Sequence, residues 1–213
     1  LYSDQIVLDI QHAIDYVKEH NPEGLFVHPK TEQPIMLCFT GGEPMMQQKA
    51  MMEMLRELHR RNNAPAIVTV ETNATQTISD ELRNFISSEF PFLSPGKTRW
   101  HWAMSPKLFT VSGENHVVNA ENIHEYTLTN STSILKFVCN GTTENWNELD
   151  NHVNTIRFLC KYNMPAVWVM PVGATKDVQE DAGIGDLCIE AMNRGYKVAT
   201  RNHCYVFGNI IGR

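Results

Sequence analysis

Closely spaced cysteines are missing from this chain. Its five, Cys38, Cys139, Cys160, Cys188 and Cys204, are scattered, and no pair has the two- to four-residue spacing of a metal-ligand loop. An odd number spread so widely makes no disulfide framework, which fits a reducing cytoplasm. Nor is there a basic excess: 18 Lys and Arg stand against 24 Asp and Glu, a net charge of -6, so the broad electrostatic footprint of a nucleic-acid binder is absent. No run approaches the roughly 18 apolar residues of a membrane span, and no signal peptide, repeat, low-complexity tract or interdomain linker is visible. These absences point to a cytoplasmic protein acting on small molecules, with no nucleic-acid or membrane partner. At 213 residues, 42% of them hydrophobic, one α/β domain over residues 1–213 is expected.

What is present alternates. Periodicity predicts a helix over Asp4 to Lys18 with Ser3 as its N-cap, and a strand over Ile35 to Thr40. A helix with a Met-rich face follows from Gln47 to Arg61, where Met45, Met46, Met51, Met52 and Met54 read as core and lid packing. Strands are expected at Ala66 to Glu71, Arg99 to Met104, Ser133 to Cys139, Ala166 to Met170 and Tyr196 to Ala199. Between them come helices at Ile78 to Ser88, Glu121 to Leu128, Glu144 to Tyr162 and Asp186 to Arg194, the last stopped by Gly195. Ser112 to Asn119 reads as surface loop. Repeated βα units imply mostly parallel strands, hence a barrel or a doubly wound sheet. The chain opens on Leu rather than Met and on a helix rather than a strand, so a further strand and loop are expected upstream of Leu1.

Polar residues collect where strands end. Thr40-Gly41-Gly42-Glu43-Pro44 follows the first strand: two glycines let a ligand approach the backbone, and carbonyls with one carboxylate suit an ammonium group. The extra glycines and the Lys or Ser of a phosphate loop are lacking. Glu71-Thr72-Asn73, Ser105-Pro106-Lys107, Lys136 and Met170-Pro171 occupy later strands and their ends, and in βα repeats those ends share one rim. Singly, each has an ordinary explanation as a turn or a strand ending. The scattered thiols read as core packing. His12, His20, His59, His124 and His152 read as solvated helix faces or helix ends, and His101 has a Trp on either side. Arg201 suits either a substrate carboxylate or a surface pair.

Taken together, Thr40 to Pro44, Glu71 to Asn73, Ser105 to Lys107, Leu135-Lys136-Phe137-Val138 and His203 ahead of Phe207-Gly208-Asn209 resemble the 7-carboxy-7-deazaguanine synthases, a radical S-adenosylmethionine family of 7-deazapurine and queuosine biosynthesis. The resemblance covers most of the chain; Gly-Gly-Glu-Pro alone marks only the superfamily. It implies a partial (βα)6 radical S-adenosylmethionine barrel and a lyase that converts 6-carboxy-5,6,7,8-tetrahydropterin to 7-carboxy-7-deazaguanine with loss of ammonia. It also implies S-adenosylmethionine, a [4Fe-4S] cluster and Mg²⁺ as cofactors, with flavodoxin or ferredoxin as reductant and a homodimer as the assembly. By resemblance Gly41, Gly42, Glu43, Glu71, Asn73, Ser105 and Lys107 bind S-adenosylmethionine, while Thr40 and His203 touch the pterin.

The chain departs from that family in one respect. The three closely spaced cluster cysteines and the Mg²⁺ ligand after them have no counterpart, and they are expected upstream of Leu1. Two other readings stand beside this one: a cluster-free pterin or S-adenosylmethionine binding module, and an activase-like radical enzyme that acts on a protein glycine.

Overall fold

The computed structural model describes residues 10–20, 26–93, 99–115, 118–129 and 131–207. The expected Ser3 cap, the first residues of the N-terminal helix, Gly208 and Asn209 lie outside them. Six strands form one parallel sheet in the order β1 (Met36–Phe39), β2 (Ile67–Thr72), β3 (Arg99–Met104), β4 (Thr132–Cys139), β5 (Ala166–Pro171) and β6 (Lys197–Val198). The helices between them are α1 (Ile10–His20), α2 (Gln48–Arg60), α3 (Asp80–Asn84), α4 (Phe90–Leu93), α5 (Phe109–Ser112), α6 (Ala120–Thr127), α7 (Thr143–Cys160), α8 (Lys176–Gln179), α9 (Ala182–Asn193) and α10 (Asn202–Phe207). The α/β class with parallel strands is therefore as expected, and the sheet is open.

The backbone divides into two compact units. In the first, residues up to Glu71 join 78–101 and 129–131. Here β1 pairs β2 in register from Met36↔Ile67 to Phe39↔Val70. The α2 face anticipated from the methionines is real: Met51, Met52, Met54, Leu55 and Leu58 are buried. Met46 departs from that reading, being 69% exposed in the 3-10 turn Pro44–Gln47 ahead of α2, where its neighbour Met45 is buried. The expected helix from Ile78 to Ser88 begins later, at Asp80, with Ser79 Oγ accepting from Leu82 N, and it runs on through a π turn (Phe85–Glu89) into α4. Phe85, Phe90 and Trp100 stack edge to face there, with Phe90 and Trp100 centroids 5.4 Å apart. Rings in this arrangement bury a large apolar area and explain why the helix continues past the polar Ser87-Ser88 pair.

The second unit holds residues 72–77, 102–128 and the chain from 132 onward. There β4 pairs β5 from Ile134↔Ala166 to Cys139↔Pro171, and β5 pairs β6. Burial alternates along both longer strands. Leu135, Phe137 and Cys139 of β4 and Val167 and Val169 of β5 are buried, on the face covered by α6, α7 and α9. Residues between them on the opposite face are half-buried. A period of two with one face covered by helices is what fixes the register. Trp102 lies fully buried against Tyr126 of α6, with centroids 4.6 Å apart, and Trp100 of the same strand is buried as well while His101 between them is half-buried. Short helices α5, α8 and α10, which periodicity did not predict, are too brief to show a repeat.

Candidate functional site

In the first unit the loop after β1 is shaped by its backbone. Gly41 has φ +83° and Gly42 +53°, the left-handed region that L side chains avoid. A Cβ built on either glycine would meet nothing within 4 Å, so the glycines are required by conformation and leave open space beside the chain. Glu43 caps the following 3-10 turn, its Oε1 accepting from Met45 N at 3.1 Å. Thr40 is exposed, and its Oγ1 donates to Glu71 Oε2 at 3.2 Å. Thr40, Gly41, Gly42, Glu43 and Glu71 are thus gathered on adjacent strand ends: two carboxylates and an open peptide edge. That array can accept hydrogen bonds from a cation.

In the second unit the ends of β2 and β3 lie side by side, with Ser105 N donating to Thr72 O at 2.7 Å. Asn73 Oδ1 accepts from Thr75 N and Thr75 Oγ1. Ala74 is buried with φ +60°, a conformation costing about 1 kcal/mol or more for a residue with a Cβ. It is held by Thr72 Oγ1 and by the buried Asn122 of α6, whose Nδ2 donates to Ala74 O and Thr75 O. Ser105 is half-buried, Pro106 is buried and Lys107 is exposed. His203 falls in α10, and its side chain is outside the described part. The helix itself is tied to the end of β5: Arg201 Nε donates to Pro171 O, Cys204 Sγ to Ala174 O and Tyr205 Oη to Gln179 O. Arg201 therefore serves a backbone carbonyl, which neither of its two sequence readings anticipated.

Sequence reasoning missed the anchor of the Ser105–Lys107 segment. Glu148 of α7 takes three hydrogen bonds at the start of α5, from Phe109 N at 2.6 Å, Thr110 N at 2.9 Å and Thr110 Oγ1 at 2.6 Å. Asn145 Nδ2 donates to Thr110 Oγ1, and Asn140 Nδ2 donates to Thr110 O. Burial alone would raise the Glu148 pKa, yet these donors, with His152 nearby, hold it below the usual glutamate value. His152 Nε2 lies 3.8 Å from Glu148 Oε1, and burial lowers its pKa against that attraction, so it is not the solvated histidine expected. His124 lies in the last turn of α6, a helix end as expected, with its Nδ1 shielded and without a hydrogen-bond partner. A glutamate one turn inside a helix gives no signal of this kind in the sequence.

The described residues do not fit an iron–sulfur cluster or Mg²⁺. Among the described residues no group of three or more His, Cys, Asp or Glu could hold a metal ion. Burial pushes the Cys139 thiol up to about 12 and raises Cys160 and Cys188, the opposite of the thiolate character that iron ligation needs. Cys139, Cys160 and Cys204 are buried as expected, but Cys188 is half-buried and Cys38 is exposed, on the face of β1 opposite the buried Leu37. The Gly41–Glu43 edge, by contrast, fits the ammonium of S-adenosylmethionine.

No family model matches this chain, and no curated protein matches it. Among solved structures it is similar to a domain of pyruvate-formate lyase-activating enzyme from Bacteroides vulgatus ATCC 8482, with a TM-score of 0.46 and 13% identity over 77% of this chain and 97% of that domain. A likeness at that level carries no residue role across.

Proposed function

We propose that this chain is a radical S-adenosylmethionine enzyme that converts 6-carboxy-5,6,7,8-tetrahydropterin to 7-carboxy-7-deazaguanine with loss of ammonia. One observation carries the reading: the open, left-handed Gly41-Gly42 edge with Glu43 and the Thr40–Glu71 hydrogen bond beside it. In this reading the Gly41 and Gly42 carbonyls and Glu43 receive the cofactor's ammonium, and Glu71 accepts from its ribose. Asn73 donates through its amide, Ser105 and Lys107 meet its carboxylate, and Thr40 and His203 orient the pterin. When bound, S-adenosylmethionine supplies radical chemistry, and the protein's part is orientation and exclusion of water. Because the described residues hold neither the cluster nor Mg²⁺, no step is assigned through either. A flavodoxin- or ferredoxin-type reductant, a homodimer, a single functional domain and a cytoplasmic setting belong to the same proposal. Among the described residues no helix is long and apolar enough to cross a membrane.

A second reading, a cluster-free S-adenosylmethionine or pterin binding module, is favoured by the scattered thiols, of which Cys139, Cys160 and Cys188 have their pKa raised by burial. An activase-like radical enzyme shares the loop chemistry and differs in its substrate. The test is equilibrium dialysis with labelled S-adenosylmethionine, followed by anaerobic assay with iron, sulfide, reductant and carboxytetrahydropterin. The expected result is binding weakened about tenfold or more by Glu43→Gln, with 5′-deoxyadenosine and 7-carboxy-7-deazaguanine as products. Absence of cofactor binding sinks the proposal, and binding without iron uptake or product selects the module.

A further inference from the structure

The turn that leaves β4 for α7 holds Asn140-Gly141-Thr142, and no other asparagine of the chain is followed by glycine. Asn140 and Gly141 are both exposed. Gly141 has φ +80°, and a Cβ built on it would come to 3.3 Å from Leu187 Cδ1, so conformation and space together keep a side chain from shielding its nitrogen. Among the described residues the Gly141 N–H has no hydrogen-bond acceptor. The Asn140 carboxamide, by contrast, is held at both ends. Its Oδ1 accepts from Thr142 N at 3.1 Å and from Thr142 Oγ1 at 3.0 Å, and its Nδ2 donates to Thr110 O at 3.2 Å. The bond from Thr142 N to Oδ1 closes a ring around Gly141, which folds the carboxamide back toward the Gly141 nitrogen.

These are the parts of an intramolecular acyl transfer: a nitrogen with no hydrogen bond to give up, a carbonyl carbon on the preceding residue, and two donors on the oxygen where negative charge develops. We propose that Asn140 is a self-modification site, at which Gly141 N displaces ammonia from Asn140 Cγ. The Gly141 N–H proton passes to hydroxide, the N–Cγ bond forms, the Cγ–Nδ2 bond then breaks, and Nδ2 leaves as ammonia with a proton from water. The product is a cyclic succinimide, and water added at either of its carbonyls opens it to aspartate or isoaspartate. No oxidant, reductant or cofactor enters.

The consequence reaches the strand-end rim. Either product replaces the Nδ2 donor by a carboxylate oxygen, which faces Thr110 O acceptor against acceptor and brings a second negative charge to a residue that Glu148 already holds. Isoaspartate also lengthens the backbone between β4 and α7. The start of α5, and with it the Ser105–Lys107 segment, is loosened by a reaction that needs only water and time.

The experiment incubates the full chain in H₂¹⁸O at pH 8, native and in urea, and maps its peptides by mass spectrometry at intervals. Heavy oxygen marks carboxylates formed during the incubation rather than during digestion. The expected result is labelled aspartate and isoaspartate at position 140 of the native chain, formed about tenfold or more faster than at any other asparagine and no slower than in urea. Thr142 Oγ1 also caps α7 by accepting from Asn145 N, so the variant is Thr142→Asp, which keeps a cap acceptor and withdraws the donor. It should slow the native reaction and leave the rate in urea unchanged. Hydrogen exchange across Phe109–Ser112 should be faster in Asn140→Asp, and in the modified fraction of the native chain, than in fresh protein. An Asn140 that keeps its amide in the native chain while it reacts in urea overturns the proposal, because the fold then protects the carboxamide. A native rate unmoved by Thr142→Asp does the same, and unchanged exchange in Asn140→Asp overturns the loosening of α5.

Discussion

Replacing Glu148 by Gln tests whether one carboxylate fixes the segment that carries Ser105 and Lys107. In the native chain Oε1 accepts from Phe109 N, and Oε2 accepts from Thr110 N and Thr110 Oγ1. A glutamine can keep its oxygen toward Thr110, but its NH₂ then faces the Phe109 N–H, donor against donor. One charge-assisted hydrogen bond is lost and two become neutral; at about 1.5–3 kcal/mol for the first and some tenths for each of the others, the expected loss is about 2–4 kcal/mol. The side chain is only 17% exposed, so screening removes little of it. For a chain of this size each kcal/mol moves the melting temperature by about 2–4 °C, giving a drop on the order of 10 °C. The pH dependence has a definite sign. A carboxylate whose folded pKa is depressed stabilises above its unfolded pKa, close to 4.5, and that contribution is lost as pH falls through the lower folded value. Calorimetry of both proteins from pH 7 to pH 3 should show a gap that is full above about pH 5 and closes below it. A gap under about 1 kcal/mol at pH 7, or one unchanged at pH 3, would refute the reasoning, because the carboxylate would then not be what holds the turn.

Two further outcomes are expected. Gly41→Ala meets open space and should cost only the backbone term, about 1–2 kcal/mol, whereas Gly173→Ala, at φ +119°, drives its Cβ to 2.3 Å from Val178 Cγ1 and should cost at least 3 kcal/mol or so; urea unfolding that ranks them equally would contradict this. Iodoacetamide at pH 8 should modify the exposed Cys38 first, while Cys139, buried with its thiol pushed up to about 12, stays unmodified until the chain unfolds; peptide mass spectrometry showing Cys139 labelled alongside Cys38 would contradict the burial.

The sequence by itself determined the alternation of strands and helices, because that follows from short periodicities. Arg99–Met104 is read to the residue, and Ala166–Pro171 to within one. It also marked Gly41-Gly42 as an open backbone edge after the first strand; that both glycines are left-handed came from the structure. Where tertiary contacts compete with local preference it failed. The helix after Ser79 continues because Phe85 and Phe90 find Trp100, and of the two methionines in the 3-10 turn before α2 Met45 is buried while Met46 is exposed. Only the tertiary structure decided that Glu148, Asn145 and Asn140 converge on Thr110, or that Lys136, Trp168 and Lys197 are partners on adjacent strands. Such meetings depend on strand register and on helices far apart in the chain, and a linear pattern carries no information about which distant side chains will share a hydrogen bond.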